Sequence, residues 1–155
     1  MTDQPNQPVR LSLLSAPANL QVVREALEQM CRSLGFGAEA TGAVVLGVDE
    51  AMTNIIRHAY KGRSDGPIEV ELTPVRDGRD GALEIRLMDR GEHADPLKLE
   101  RRDLSEIRPG GLGVHIITEC MDKVEYRPRE GGGTTLVMVK KRQPQDSQSD
   151  KEISV

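Results

Sequence analysis

Aromatic side chains are nearly absent from this chain. They make up 2% of its 155 residues, with one Phe, two Tyr and no Trp. A core must therefore be built from aliphatic side chains, and a stacking platform for nucleic-acid bases is not available. An excess of positive charge is missing as well. The net charge of -4 is opposite to what a phosphate-backbone binder carries, so no direct nucleic-acid contact is expected. Cysteine is scarce: Cys31 and Cys120 lie far apart, each among apolar residues. Paired redox or metal spacing is absent, and buried free thiols are the expectation. No apolar run reaches membrane-spanning length, and none follows a basic N-terminal region. No membrane partner is expected, and a cytoplasmic location is the default.

What remains is 37% hydrophobic and 30% charged residues, a composition and length that fit one soluble globular domain. Residues 1–8 are polar and contain proline, so a flexible leader is expected there. Residues 143–155 are polar and poor in apolar side chains, which predicts a disordered tail. The folded domain should span residues 9–142. There are no internal repeats.

Within that domain, residues 9–13 alternate as a strand. Leu20, Val23, Leu27, Met30 and Leu34 follow at helical steps after a start signal at residues 17–19, and Gly35 ends the helix. A second helix is predicted from about residue 38 to residue 60. Its stripe of Val45, Val48, Met52, Ile55 and Ala59 should face a core. Residues 68–72 and 83–87 alternate on either side of turn residues and read as a hairpin. Residues 91–108 are charged and irregular, a mobile loop or short helices. A helix over residues 113–121 and strands at 123–126 and 135–140 complete the chain. Helices cluster and strands pair locally, which suggests an α+β two-layer sandwich. The strict alternation of a doubly wound parallel sheet is not there.

Several stretches carry chemistry. On the second helix, Glu50, Asn54, Arg57, His58 and Lys61 recur at steps of three or four along a face away from the apolar stripe. A solvated face explains most such patterns. Here, though, Glu50 and Asn54 stand one turn apart, a carboxylate able to take a proton and an amide oxygen able to ligate Mg²⁺ among water and phosphate oxygens. His58 reads as structural or solvent-facing. Gly110-Gly-Leu-Gly113 immediately precedes a helix, where a bare main chain and the helix dipole favour phosphate. It is neither a Walker A loop nor a Rossmann turn. Asp89-Arg-Gly91 places a carboxylate just past a strand end, suited to reading an exocyclic amine or equally to closing a turn. Thr134 and Thr135, after Gly131-Gly-Gly133, offer hydroxyls or simply β propensity. No Ser-His-Asp order or His-rich spacing points to a hydrolase or zinc enzyme.

Together these stretches resemble the bacterial anti-sigma-factor serine kinases, of the ATPase superfamily shared with gyrase, histidine kinases and MutL. Glu50-Ala-Met-Thr-Asn54 with His58-Ala-Tyr60 is similar to the family's N box. Asp89-Arg-Gly91 is similar to its first glycine box, Gly110-Gly-Leu-Gly113 to its second, and Gly133-Thr-Thr135 to its closing strand motif. The resemblance implies a Bergerat-type sandwich, with a mixed, mostly antiparallel sheet and helices on one face, that binds ATP and Mg²⁺. It implies Asn54 on the metal, Asp89 with Gly91 at the adenine amine, and the backbone of Gly111, Leu112 and Gly113 on the phosphates. Thr134 or Thr135 would support the adenine. Glu50 would be the general base acting on a serine of a STAS-domain anti-anti-sigma protein, with a sigma factor as further partner and a homodimer as the family's common assembly. Where the wider superfamily often has a second glycine in the first box, this chain has His93. Residues 92–108 are short for a lid, and Arg108 is a candidate phosphate or partner contact. The rival expectations are an ATP-loaded switch that sequesters a partner without phosphoryl transfer, and an interaction domain that binds no nucleotide.

Overall fold

The computed structural model describes residues 7–77, 80–92 and 111–144. The leader as far as residue 6, the stretch 93–110 with His93, Arg108 and Gly110, and the tail from residue 145 lie outside the described residues. In chain order the elements are β1 (Val9–Leu14), α1 (Asn19–Ser33), α2 (Ala38–Asn54), a π-helical turn (Ile55–Ala59), β2 (Pro67–Asp77), β3 (Asp80–Asp89), α3 (Gly111–Cys120), β4 (Lys123–Pro128) and β5 (Thr134–Lys141).

The five strands form one sheet in the order β1-β2-β3-β5-β4. Every neighbouring pair is antiparallel, so the mixed sheet expected from the family resemblance is not what the described residues form. The reason is topological. β3 crosses over through α3 to β4, which would lie parallel to it, but β5 turns back into the gap between them and pairs antiparallel with both. The hairpin strands are also longer than their alternation alone indicated, running to Asp77 and from Asp80. Pro74 is tolerated in β2 because pairing with β1 stops at Leu72, so beyond that point β2 has only β3 beside it.

Alternation then sorts the two faces. Ile68, Val70 and Leu72 of β2, Leu83, Ile85 and Leu87 of β3, and Leu136 and Met138 of β5 are buried in one cluster with Val23, Leu27, Val44, Val48 and Met52 of the helices. Register aligns them, with Leu87 between Val70 and Leu136 and Ile85 between Leu72 and Met138. The opposite face carries charge, paired as Arg10–Glu71 at 3.3 Å, Arg86–Glu84 at 2.6 Å and Arg127–Glu125 at 2.9 Å. Such exposed pairs contribute little stability each; their role is to keep that face wet. The result is the two-layer α+β sandwich.

Helix α1 buries Val23, Leu27 and Cys31, with Leu20, Met30 and Leu34 partly covered, along the expected stripe. It ends at Gly35, where Phe36 N–H donates to Cys31 O at 2.9 Å and Gly35 N–H to Arg32 O at 3.1 Å, the paired closure of a Schellman motif. Burial pushes the Cys31 thiol up to about 11, with a hydrogen bond involving Thr41 pulling the other way. Both cysteines are free and buried, as expected.

Helix α2 departs from its predicted stripe in one respect: Val44 is fully buried, whereas Val45 is only partly so. The helix packs on two sides. Val48, Ala51 and Met52 join the core, and Gly47 receives α3, where a Cβ would stand 2.9 Å from Met121 Cε and 3.2 Å from Cys120 Cβ. That contact leaves no room for a side chain. Gly47→Leu should therefore cost about 1–3 kcal/mol through overpacking, seen as a lower urea midpoint at unchanged slope. An unshifted midpoint would contradict so close an α2–α3 approach.

Candidate active site

The site assembles where α2 ends. The α-helix does not continue to residue 60; after Asn54 it widens into the π turn, with Tyr60 N–H donating to Ile55 O at 3.0 Å. Such a bulge inserts an extra residue into the turn and is common at functional sites. Lys61 then takes a left-handed backbone, φ 52°, and the chain turns toward β2. Tyr60 is 2% exposed. Its hydroxyl donates to the Pro67 carbonyl at 2.5 Å and accepts the Arg90 N–H at 2.7 Å. Burial pushes its phenol above the ordinary value, and the hydrogen bond from Arg90 offsets part of that rise.

Asp89 is the last residue of β3 rather than a residue beyond it, and it is 1% exposed. It shares the inward face with Leu83, Ile85 and Leu87, so a carboxylate stands where the pattern would otherwise put a hydrophobe. Its Oδ1 accepts the Gly91 N–H at 2.9 Å, closing the turn. Gly91 is pressed against the π turn: a Cβ there would stand 2.4 Å from the Ala59 carbonyl oxygen, and Glu92 N–H donates to that same oxygen at 3.1 Å. The glycine is needed for main chain to meet main chain.

The β4–β5 turn closes the other side. At Gly133, φ is 99° and a Cβ would stand 2.0 Å from the Asp89 carbonyl oxygen, so no side chain fits there. Thr134 follows and is 4% exposed. It lies on the inward face with Leu136 and Met138, one register step from the Met88–Thr135 pair and thus beside Asp89. Thr135 is on the outer face between Met88 and Arg127. Of the two candidate threonines, the structure brings only Thr134 to the face of Asp89.

Glu50 and Asn54 are half-buried on α2, four residues apart and therefore on one face. Among the described residues, no hydrogen bond or ion pair engages either side chain. Burial raises the Cys120 thiol on α3, Lys140 lowers it, and the carboxylates of Glu119 and Glu50 add to the rise. Helix α3 opens at Gly111, which puts the positive end of its dipole there. Arg57, His58 and Lys61 are exposed, in keeping with the solvent-facing role expected of His58. A groove of about 590 Å³ between α1 and α2, floored by Phe36 and Val45, contains none of the site residues.

Among the described residues, no three His, Cys, Asp or Glu side chains converge in a way that could cage a metal ion. A single neutral oxygen from Asn54 suits an ion that takes its remaining ligands from phosphate oxygens and water, which is how Mg²⁺ accompanies a nucleotide. The donor set fits a metal–nucleotide, not a free-standing metal site.

Sequence reasoning missed four members of this framework. Tyr60 appeared only as part of a motif. Arg24 clamps α1 to α2 by two bonds of 2.9 Å to the Asp49 carboxylate. Arg90 and Arg129 hold main-chain carbonyls across the site, Arg129 Nη1 donating to Asp89 O at 3.0 Å. These arginines had no local sequence signal that marked their partners.

Residues 13–140 match the family model described as histidine kinase-like ATPase domain. The chain belongs to that family. Its curated relatives place it in the RsbW-type serine-protein kinase branch. It is 34% identical over 143 residues to the serine-protein kinase RsbW of Listeria monocytogenes, covering 85% of each chain. To the RsbW of Bacillus pumilus it is 28% identical, covering 85% of this chain and 84% of that one. A crystal structure of RsbU and RsbW domains from Mycobacterium tuberculosis superimposes with a TM-score of 0.61 at 17% identity, over 89% of this chain and 33% of that one, which establishes a shared fold. ATP is the ligand class of this ATPase domain. No helix among the described residues is long and apolar enough to cross a membrane.

Because the Tyr60 hydroxyl is both donor and acceptor in a buried setting, Tyr60→Phe should lower stability by about 1–3 kcal/mol, most of it from the stranded Pro67 carbonyl and Arg90 N–H. Chemical denaturation with two probes would check this. A change within a few tenths of a kcal/mol would remove Tyr60 from the framework.

Proposed function

We propose that the protein is an ATP-dependent serine kinase of the anti-sigma-factor type. It phosphorylates a serine on a STAS-domain antagonist, and so controls a sigma factor by partner switching. The observation that carries this reading is a division of labour around one site. Asp89 is buried and bound into the scaffold, while Glu50 and Asn54, one helical turn apart, are half-buried and, among the described residues, make no hydrogen bond or ion pair. Asp89 would accept the exocyclic amine of adenine, with Thr134 beside it. The main chain at Gly111, Leu112 and Gly113 would receive the phosphates at a helix N-terminus, and Asn54 would supply one oxygen to Mg²⁺.

Phosphoryl transfer asks the protein chiefly for alignment and charge neutralisation. Bound Mg²⁺ supplies charge neutralisation on the phosphate oxygens. Glu50 aligns the partner's serine hydroxyl and takes its proton as the new Oγ–P bond forms and the bond from the γ-phosphorus to its bridging oxygen breaks. ADP leaves, and the partner carries the phosphoryl group. An acid at position 50 has a task in this reaction that a binding module alone would not give it. The Listeria and Bacillus relatives named as serine-protein kinases support the same reading.

The test is incubation with labelled ATP and a candidate STAS-domain protein, with and without its acceptor serine. Glu50→Gln should leave ATP affinity intact and slow transfer by about 10²–10⁴-fold, the usual worth of a general base. Transfer at near-normal rate would take Glu50 out of the chemistry. Tight ATP binding with no transfer by the unmodified protein to any serine would point to a switch that only sequesters its partner. Asn54→Ala should weaken ATP binding in the presence of Mg²⁺ by about tenfold or more, since a metal ligand is lost. An affinity equal to that of the parent would contradict the metal assignment.

A further inference from the structure

Two arginines from different turns grasp each other's main chain across the site. Arg129, at the end of β4, donates from Nη1 to the carbonyl of Asp89 at 3.0 Å. Arg90, just past β3, donates from Nη1 to the carbonyls of Glu130 and Gly132, both at 2.9 Å. The exchange is reciprocal. Each turn supplies a guanidinium and each supplies the carbonyls the other needs. Between the two clasps, Gly133 approaches the Asp89 carbonyl so closely that a Cβ would overlap it. Behind them, the Arg90 N–H is held by Tyr60.

The turn that is grasped would not hold this shape unaided. Gly131, Gly132 and Gly133 have φ values of 84°, 105° and 99° in succession, and three consecutive glycines sample many other conformations. The turn's own bonds, Arg129 N–H to Gly133 O at 3.0 Å and Gly132 N–H to Arg129 O at 3.1 Å, close it without fixing it to β3. Beyond the β3–β5 pairing that ends at Met88–Thr135, the arginines and the close Gly133 approach hold it there. Neither guanidinium donates to a side-chain oxygen in these bonds; both spend charged donors on neutral carbonyls, a stronger hydrogen bond than a neutral donor makes.

We propose that Arg90 and Arg129 are positioning residues that lock the β4–β5 turn onto the Asp89–Gly91 turn, so the base-reading end of the nucleotide site is formed before nucleotide arrives. This rests on the assignment of Asp89 to the adenine. Without the clasp the turn opens, and only a fraction of molecules present Asp89 and Thr134 together. Apparent nucleotide affinity falls by that fraction, while the reacting groups on α2 are untouched.

The experiment compares the full chain with Arg129→Ala, Arg90→Ala and the conservative Arg129→Lys, each checked for folding by circular dichroism and urea denaturation. ATP affinity is measured by titration calorimetry, and KM and kcat by transfer to the partner. The expected result is a KM and Kd for ATP raised about tenfold in either alanine variant, with kcat at saturating ATP changed less than about twofold. Arg129→Lys, which keeps one charged donor, should recover most of the affinity. Amide exchange in the nucleotide-free alanine variants should quicken at residues 89–91 and 131–133. A Kd within twofold of the parent in both alanine variants overturns the clasp, as does a loss confined to kcat. If an alanine variant does not fold, Arg129→Met, which keeps the aliphatic stem but no donor, takes its place: exchange at residues 89–91 and 131–133 and a Kd both equal to the parent's overturn it. A parent chain that binds no adenine nucleotide sinks the ATP reading and this inference together, whereas a parent that binds ATP beside equally competent variants sinks this inference only.

Discussion

The hydroxyl of Tyr60 is the junction on which the site depends. It ties the end of the long helix to the start of β2 through the Pro67 carbonyl and to the end of β3 through the Arg90 amide. Pro67 lies seven residues further along the chain and Arg90 thirty, so one hydroxyl joins a local turn to a distant strand end. The π turn leads directly into Tyr60. Widening the last turn lets Tyr60 N–H reach Ile55 O, and it delivers the ring beneath Gly66, where a Cβ would stand 2.4 Å from ring carbons. Gly91 then seats on Ala59 and Gly133 on Asp89. Helix end, strand end and hairpin turn are stacked main chain against main chain, with the phenol as the pin.

An aliphatic core makes that arrangement possible. With so few aromatic rings, the sheet and helices pack through Ile, Leu, Val and Met side chains of similar depth, and their layers can approach closely. Gly47 under Met121 shows the same economy between α2 and α3. One of only two tyrosines is spent at the site. Its ring fills space against Gly66 while its hydroxyl satisfies two main-chain groups that would otherwise be stranded in the interior.

Periodic features were legible before any coordinates. The α1 stripe, the alternation of β2 and β3 and the Gly35 terminus all depend on residues close in sequence, and their physics is local. The order of the box motifs carried the fold class in the same way. What could not be read depends on partners without a signature. Arg90 and Arg129 bind carbonyls, which every residue has, so nothing in the chain marks them as a pair. The π turn looks helical by pattern, since Ile55 and Ala59 keep their apolar spacing through it. Val44 displaced Val45 in the core because α2 is covered on two sides, and a single-stripe reading assumes one. Thr134 and Thr135 were separable only by register, because a one-residue step in a strand exchanges faces. The all-antiparallel sheet follows from where β5 inserts, a long-range choice that local pattern does not contain.

Burying Asp89 is a costly choice, and the surroundings show how it is sustained. An isolated carboxylate in an apolar interior is unfavourable by several kcal/mol unless hydrogen-bonded. The inward position at the end of β3 would stabilise the fold more simply with a leucine, as at the positions before it. The structure instead commits the Gly91 N–H to the carboxylate and the Arg129 guanidinium to the carbonyl of the same residue. It also admits glycine at the neighbouring positions where a Cβ would force the chain apart. Local preference is overruled in this way where a group must be kept for a purpose other than folding. On α2 the reverse holds. Among the described residues Glu50 and Asn54 contribute no bond to the scaffold, so these parts of the fold draw nothing from their polar groups. A carboxylate built into the scaffold, and an acid and an amide on a half-buried helix face, are opposite physical situations, and the stacked turns around Tyr60 hold both within one small domain.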